Sequence, residues 1–374
     1  MVDGVCAFEA RGACTDAERR AALWLHDEVR SRLHEAWVET HWVRPRRAAV
    51  LALGCLLTVI GSLLSTAVAV GGLAAAAIGA ASLAMEAAGR LGPIRALFPR
   101  RATQHVLTGV PDEGVVLLIT AAYDAPPRGL VLNDRWRAPL RRVPPWTLAA
   151  CALVVVVAAA ARTAGHEPGW LGAVQLVPTI VLLVAVAAAL DVALSDSSPG
   201  ANDNASGVAV AVRLLEELDR EPPRHLVPAL LLTGAGHVVP RAVARHLRAE
   251  RLSAQRVVVL ELGPCGAGQP AWAARHSQVR EAAERATGAL ALPGAERPRQ
   301  PSVRVPAIRI ACLDERGISP RAHQPDDTAD RVDDAAMDAA LDLALGVVDA
   351  LDAQLGSAPS ATRSSTGSSN EHEP

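Results

Sequence analysis

Long segments without a charged residue constrain this chain more than any other feature of its sequence. Residues 48–85 form one such segment, nearly twice as long as the roughly 20 residues that an α-helix needs to cross a bilayer. Residues 143–161 and 169–190 form two more. With a turn at Gly71-Gly72 in the first segment, the pattern predicts four membrane-spanning helices in two hairpins. The alternative is a set of alanine-rich helices in a large soluble core, although such helices usually carry a charge every few turns.

The composition agrees with a membrane protein and argues against a nucleic-acid partner. Hydrophobic residues make up 50% of the chain, and the mean hydropathy is +0.21. The formal net charge is -2, so no basic field favours nucleic acid. The six cysteines show neither metal-binding nor disulfide spacing, and the acidic start of the chain is not typical of a cleaved signal peptide.

Arginines set the predicted orientation in the membrane. The sequence contains no lysine, and its arginine clusters flank the two hairpins on one side only: Arg44, Arg46 and Arg47, then Arg90, Arg95, Arg100 and Arg101, then Arg135, Arg137, Arg141 and Arg142. By the positive-inside rule, we expect a multi-pass protein of the cytoplasmic membrane with both termini and all large polar segments in the cytoplasm. Unpaired cysteines agree with that reducing compartment.

The polar segments predict an α/β domain. Short apolar runs typical of buried strands lie at residues 115–124, 225–234, 256–263 and 305–313. Helical patterns precede and separate them: an opening helix with Thr15 and Glu18 at capping-box spacing and Leu33 on its apolar face, and stretches at residues 241–250, 277–287 and 334–351. The alternation predicts a doubly wound, mostly parallel sheet, with ligand sites beyond the carboxyl ends of its strands.

These elements divide the chain into six predicted segments. They are an N-terminal part of the α/β domain, the first hairpin, a strand section, the second hairpin, the main part of the domain and a disordered tail, at residues 1–47, 48–85, 86–142, 143–190, 191–355 and 356–374 respectively. The tail is assigned from its low-complexity, polar composition, which offers too little apolar surface to pack.

One polar loop carries a family resemblance. The sequence PGANDNASGVA (residues 199–209) resembles the metal-binding loop of metallopeptidase family 28, the co-catalytic di-zinc aminopeptidases, and Asp203 takes the place of the Asp that bridges the two zinc ions. The likeness runs from LLITAAYDAP, in the place of the family's His-x-Asp strand end, to HQPDDTADRVD, in the place of its terminal His and following Asp-Thr segment. It covers roughly two thirds of the residues and implies the zinc-aminopeptidase fold, with the hairpins as insertions.

Carried over position by position, the resemblance implies that two essential groups are lost. The family's His ligand of the first zinc falls on Ala122, whose methyl group cannot bind metal. Its general base, the first residue of a Glu-Glu pair, falls on Gly236. Loss of a general acid-base residue typically costs about 10²–10⁴-fold in rate. Efficient peptidase activity is therefore not expected.

The positions that keep a metal-binding side chain imply one zinc ion at most. The second zinc would be held by Asp203, by His237 at the second Glu of the pair, and by His323, a set that zinc accepts. The first zinc keeps only Asp203 and Glu261, while Asp124 would orient a ligand that is no longer present. The alternative is that His237 is a surface histidine and His323 a loop residue, neither with a role in metal binding.

Two functions follow from this interpretation. The first is a catalytically degenerate membrane protein. It binds a peptide or a membrane-proximal protein in the cleft that corresponds to the family's active site. The second is a single-zinc hydrolase of aminopeptidase type, acting on peptides or amides near the membrane. A transporter is disfavoured because no charged residue lies within a predicted span. Since few residues separate Leu190 from Asp203, we expect the cleft near the bilayer surface.

Overall fold

The computed structural model describes residues 1–32, 35–111, 113–239, 241–289, 301 and 303–357. Leu33 of the predicted opening helix and residues 358–374 of the predicted tail lie outside the described residues. The last described helix ends at Ser357, just past the predicted start of that tail.

A mixed sheet of seven strands forms the centre of the polar part of the chain. The strands are β1 (Ala36–Val43), β2 (Arg101–Thr108), β3 (Val115–Ala122), β4 (Leu226–Thr233), β5 (Val257–Leu262), β6 (Gln269–Arg275) and β7 (Ala307–Leu313). Their order across the sheet is β1-β2-β4-β3-β5-β7-β6. Strand β3 runs parallel to β4 and β5, and β5 runs parallel to β7. The other neighbouring pairs, β1-β2, β2-β4 and β6-β7, are antiparallel.

The sheet is thus less parallel than the sequence predicts. The four strands of the parallel centre are the four apolar runs, whereas β1, β2 and β6 were not predicted. Two of them escape a search for continuous apolar runs because Glu39, Thr40 and His41 interrupt the apolar residues of β1, and because β2 buries the polar side chains of Thr103, Gln104 and His105. Such patterns are typical of antiparallel strands near a sheet edge.

Helices cover both faces of the sheet and also form a separate apolar group. They are α1 (Val2–Cys6), α2 (Asp16–Arg32), α3 (Arg47–Leu64), α4 (Ala69–Ala87), α5 (Pro93–Leu97), α6 (Asp134–Arg141), α7 (Thr147–Thr163), α8 (Trp170–Leu194), α9 (Gly207–Arg220), α10 (Ala242–Ala249), α11 (Ser277–Ala289) and α12 (Asp334–Ser357). Alternate residues of β3 point to opposite faces: Leu117 and Ile119 join the larger core, formed with α2, α9, α11 and α12, and Val116 and Leu118 join the smaller core with α10.

Four apolar helices, α3, α4, α7 and α8, pack together as a group that we call the apolar bundle. Three of them, α3, α4 and α8, are long and apolar enough to cross a membrane. The fourth, α7, falls short of that length, because it begins at Thr147 and the uncharged segment begins at Val143. Pro144 and Pro145 account for the difference, since proline lacks the N–H that continues a helix.

The bundle holds α3 and α4 together through small residues. A Cβ atom added at Gly61 of α3 would lie 2.4 Å from the backbone nitrogen of Ala76 in α4, so only glycine permits this approach. Polar side chains join α3 to α8: the hydroxyls of Ser62 and Thr179 are 2.7 Å apart, and Gln175 donates to the carbonyl of Ser62 at 2.9 Å. The bundle is therefore closely packed as well as apolar.

Candidate functional site

The loop between α8 and α9 places Asp203 beside the carboxyl ends of the parallel strands. Its entry is a turn at Gly200, whose φ of 69° suits a residue without Cβ. The carboxylate of Asp327 accepts hydrogen bonds from the backbone nitrogens of Asn202, at 2.7 Å, and Asp203, at 3.1 Å. The side-chain amide of Asn204 donates to Leu262 at the end of β5. Residues 201–206 of the loop are all buried, so Asp203 is held firmly in place.

Two histidines face the carboxylate of Asp203. His237 follows β4, and its Nε2 lies 3.0 Å from Asp203 Oδ1. His323 follows β7, and its Nε2 lies 3.7 Å from Asp203 Oδ2. The carbonyl of Pro127 accepts a hydrogen bond from Nδ1 of His323 at 2.7 Å, which fixes that ring. Strand ends far apart in the sequence are thereby joined at one carboxylate.

Asp124 lies on the other side of the His237 ring. Its Oδ1 is 3.3 Å from His237 Nδ1, so the imidazole lies between two carboxylates. Asp124 also accepts hydrogen bonds from the backbone nitrogens of Gly236, at 2.7 Å, and His237, at 3.3 Å. The segment after β4 is therefore anchored to the segment after β3.

Charge in this cluster is set by the two carboxylates. Burial disfavours a charged His237, but Asp124 and Asp203 outweigh it and raise the pKa of the ring to about 10. Burial also disfavours a charged Asp203, yet the His237 cation holds the pKa of that carboxyl well below its usual range. Burial lowers the pKa of His323 to about 4 in spite of Asp203, so this second ring is neutral. At neutral pH His237 is therefore an imidazolium that lies against the ionised carboxylate of Asp203.

Ala122 and Gly236, the positions at which the family resemblance implies a lost ligand and a lost general base, are packed together. A Cβ atom added at Gly236 would lie 2.6 Å from the Cβ of Ala122 and 3.1 Å from the hydroxyl of Thr233. A longer side chain at position 236 would therefore have to displace its neighbours. No general base stands at this position, and the surrounding structure leaves no room for one.

Glu261 is not joined to the other predicted site residues by any contact of its own side chain in the described part of the chain. It lies on β5, and its carboxylate accepts a hydrogen bond from the guanidinium of Arg309 on β7 at 2.8 Å. The structure thus brings together Asp124, Asp203, His237 and His323, and gives Glu261 a different partner.

Sequence reasoning missed a buried arginine that shapes the site. Arg11 is 1% exposed, and its guanidinium donates to the carbonyls of Tyr123 at 2.6 Å, Val5 at 2.9 Å and Gly200 at 3.1 Å. It ties the end of β3 to the turn before Asp203. No local pattern marks it, because these contacts join residues far apart in the chain.

Glu18 is a second group with a role that the sequence did not reveal. Its backbone nitrogen donates to the Thr15 hydroxyl at 3.1 Å, as capping-box spacing implies. Its carboxylate, however, accepts hydrogen bonds from Thr103 and from the backbone nitrogen of Ala235. Burial, together with the charge of Asp124, raises the pKa of this carboxyl to about 8. Glu18 thus supports the segment that carries His237.

Comparisons with known proteins identify the fold. No family model and no curated protein sequence match the chain. The structure is similar to BSAP, a zinc aminopeptidase from Bacillus subtilis, at 12% identity and a TM-score of 0.53, covering 94% of each chain. It is also similar to Porphyromonas gingivalis glutaminyl cyclase, at 12% identity and a TM-score of 0.52, covering 94% of this chain and 96% of that one. A third similar structure is Fimbriiglobus ruber glutaminyl cyclase, at 11% identity, a TM-score of 0.51 and coverages of 93% and 92%.

These likenesses confirm the expected fold of zinc-aminopeptidase type. The described side chains, however, do not assemble a complete zinc site. Within the described ranges, no group of three or more His, Cys, Asp or Glu side chains is placed to hold a metal. Both ring nitrogens of His237 face carboxylates, and Glu261 is paired with Arg309. A zinc ion held by His237 and Asp203 would require the ring of His237 to give up its Nε2 proton.

Proposed function

We propose that this protein is a multi-pass membrane protein whose aminopeptidase-like domain has lost hydrolysis and binds a peptide, or the juxtamembrane segment of another protein, in the old cleft. One observation carries the proposal: the imidazole of His237 lies between Asp124 and Asp203, 3.3 Å from the first carboxylate and 3.0 Å from the second. A side-chain cation thus neutralises carboxylates that a metal ion would otherwise neutralise.

The chemistry of the site supports the loss of hydrolysis. Attack by water on an amide needs a group that takes up the proton, and position 236 offers only a glycine packed against Ala122. The His237 cation cannot accept a proton. The neutral ring of His323 points its Nε2 at Asp203 and its Nδ1 at the carbonyl of Pro127. With its pKa lowered to about 4 by burial, His323 is only a weak base.

The apolar bundle supports membrane insertion. Helices α3, α4 and α8 meet the length and composition of a membrane span, and the arginine clusters of the sequence lie at one end of the two hairpins. We expect the protein to resist extraction by alkaline carbonate. Reporter fusions at Gly165 and at the C-terminus test the topology, and a C-terminal reporter outside the cytoplasm would contradict it.

A single-zinc hydrolase of aminopeptidase type is the competing candidate. In its favour, the Nε2 atoms of His237 and His323 both face the carboxylate of Asp203. Asp203 and the two imidazoles would then hold one metal ion together. Against it stands the lack of a general base at position 236.

Metal analysis and activity assays separate the two candidates. The full-length chain, purified in detergent without chelators, is analysed for zinc and assayed on aminoacyl anilides and on a peptide with an N-terminal glutamine. BSAP and a glutaminyl cyclase serve as positive controls. We expect no stoichiometric zinc and no turnover. One zinc per chain that disappears in both Asp203→Ala and His323→Ala, together with turnover, would establish the hydrolase instead.

A further inference from the structure

We propose that helix α6 and the segment after it lie in the headgroup layer of an anionic phospholipid leaflet and that, from there, α6 positions the loop that carries His323. We define this His323 loop as residues 316–324. The inference rests on the proposed membrane insertion of the apolar bundle, and it goes beyond it by assigning a lipid-binding surface to a named element.

The outward face of α6 has the chemistry of a membrane-interface element. Trp136, Leu140 and Trp146 are 52%, 42% and 63% exposed, which is unusual for side chains of this size. Arg135 and Arg142 are also exposed, and no ion pair to either is found among the described residues. These five side chains form what we call the α6 outer surface.

The arrangement of these side chains favours lipid over a soluble partner. Tryptophan is enriched where a bilayer meets water, and juxtamembrane arginines attract anionic headgroups. The Arg135 guanidinium lies 5.7 Å from the ring centre of Trp136, so charge and apolar surface adjoin. The acidic residue of this helix, Asp134, faces inward to Arg137 and leaves the outer surface free of negative charge.

The position of α6 next to the apolar bundle supplies the second argument. Only residues 142–146 separate α6 from α7. Just before α6, Leu130 is 77% exposed, and its backbone nitrogen donates to the carboxylate of Asp191 in α8. Leu194, at the end of α8, is 84% exposed. The outer surface therefore continues the apolar surface of the bundle at the end where α7 begins and α8 finishes.

The inward face of α6 holds the His323 loop. The Arg137 guanidinium donates to the carbonyls of Ser319 at 3.2 Å and Ala322 at 2.8 Å. The Asp134 carboxylate accepts a hydrogen bond from the backbone nitrogen of Arg321 at 3.3 Å. Since these bonds join α6 to residues on both sides of position 320, a shift of α6 moves the loop and with it the histidine that faces Asp203.

Hydrogen exchange measured by mass spectrometry on the full-length chain tests the proposal. The chain is reconstituted in nanodiscs of POPC alone and in nanodiscs that also contain POPG. In the anionic discs we expect peptides covering residues 130–146 to exchange roughly 30-fold more slowly, since two arginines contribute near the surface. Peptides covering the His323 loop should slow in parallel.

Reversing the charges of Arg135 and Arg142 tests whether these arginines cause the slower exchange. We expect the variant R135E/R142E to lose the slowing in anionic discs at both segments. The control Arg275→Glu changes an exposed arginine at the end of β6, opposite the carboxyl ends of the parallel strands, and should retain it. Arg137→Ala should keep the slowing at residues 130–146 and lose it at the His323 loop, because it breaks only the inward contacts.

The outcomes separate this inference from the proposal on which it rests. If the chain does not co-elute with nanodiscs of either composition, membrane insertion itself is wrong. If it co-elutes but residues 130–146 exchange equally in both compositions, the α6 outer surface does not bind anionic lipid and the inference is overturned. Slowing that persists in R135E/R142E overturns it as well.

Discussion

Removal of the His237 cation tests the arrangement that defines the candidate site. In a His237→Asn variant, the carboxylates of Asp124 and Asp203, 0% and 9% exposed, remain without the imidazolium between them. Removing one partner of a buried ion pair typically costs about 3–5 kcal/mol, because the remaining charge has no compensation. At about 1.3 °C per kcal/mol for a chain of this size, the midpoint of thermal unfolding should fall by roughly 4–6 °C.

A double-mutant cycle separates this electrostatic cost from simple loss of packing. Asp203→Asn preserves the shape of the side chain and removes one of the two charges. In the variant D203N/H237N, the repulsion between the carboxylates is gone. We expect the double variant to be about 2–3 kcal/mol more stable than the sum of the single losses predicts, as is typical of side chains in direct contact.

A thiol-reactive dye provides the assay, because Cys265 and Cys312 are buried in the α/β domain and react only when it opens. The purified chain is heated in detergent with and without a chelator. His276→Asn, which changes an exposed histidine, is the matched control and should leave the midpoint unchanged. An unchanged midpoint in His237→Asn, or strict additivity in the cycle, refutes the ion-pair interpretation. A wild-type midpoint that falls with the chelator would mean that a metal, rather than His237, neutralises the carboxylates.

Three further perturbations have expected outcomes. The folded-state pKa of His237, about 10, lies above the ordinary value of 6.5, so its contribution to stability is complete below about pH 6.5 and is lost as the pH rises towards 10; the unfolding midpoint of the wild type should fall more steeply over that window than that of His237→Asn. Arg11→Met leaves the buried carbonyls of Tyr123 and its other partners without a donor, so we expect a loss of about 3 kcal/mol or more in the same dye assay. Gly61→Leu should separate α3 from α4, because its side chain meets the backbone of Ala76, and cysteine cross-linking between the two helices should then fail.

The parallel centre of the sheet could be predicted from sequence because burial on both faces requires continuous apolar runs. Strands β3, β4, β5 and β7 lie within or at the runs that the sequence shows. The other strands depend on information that no local pattern carries. The imidazole of His105 on β2, for example, is buried at the end of β4, where it accepts a hydrogen bond from the backbone nitrogen of Gly234. A buried polar strand of this kind looks like a surface segment until its partner is known.

The candidate site was predictable to the extent that it follows a local motif. The loop around Asp203 and the chain order of the later segments indicated which strand ends meet. The direction of each side chain was not predictable, because it depends on contacts between distant residues: Glu261 turns to Arg309, and His237 turns between two carboxylates. The contacts of Arg137 were not predictable either, since the amino-acid sequence marks it only as one arginine of a predicted juxtamembrane cluster.

The second hairpin gives the proposed loss of metal-binding groups a structural context. It is inserted between β3, which leads to Asp124, and the loop of Asp203. Each of the two carboxylates therefore lies on a segment that connects the α/β domain to the bundle. Residues Pro127 and Ser197 pair across these two segments, and Pro127 also accepts the hydrogen bond from His323. The second hairpin is therefore connected to the site through these two backbone segments. A zinc ion would need its ligands held to within a few tenths of an ångström, whereas the ion pair of His237 tolerates wider variation in distance. Under the proposed membrane insertion, a cleft built on side-chain charges follows movements of the hairpin without losing its cation, and this favours the proposed binding role over catalysis that requires a fixed geometry.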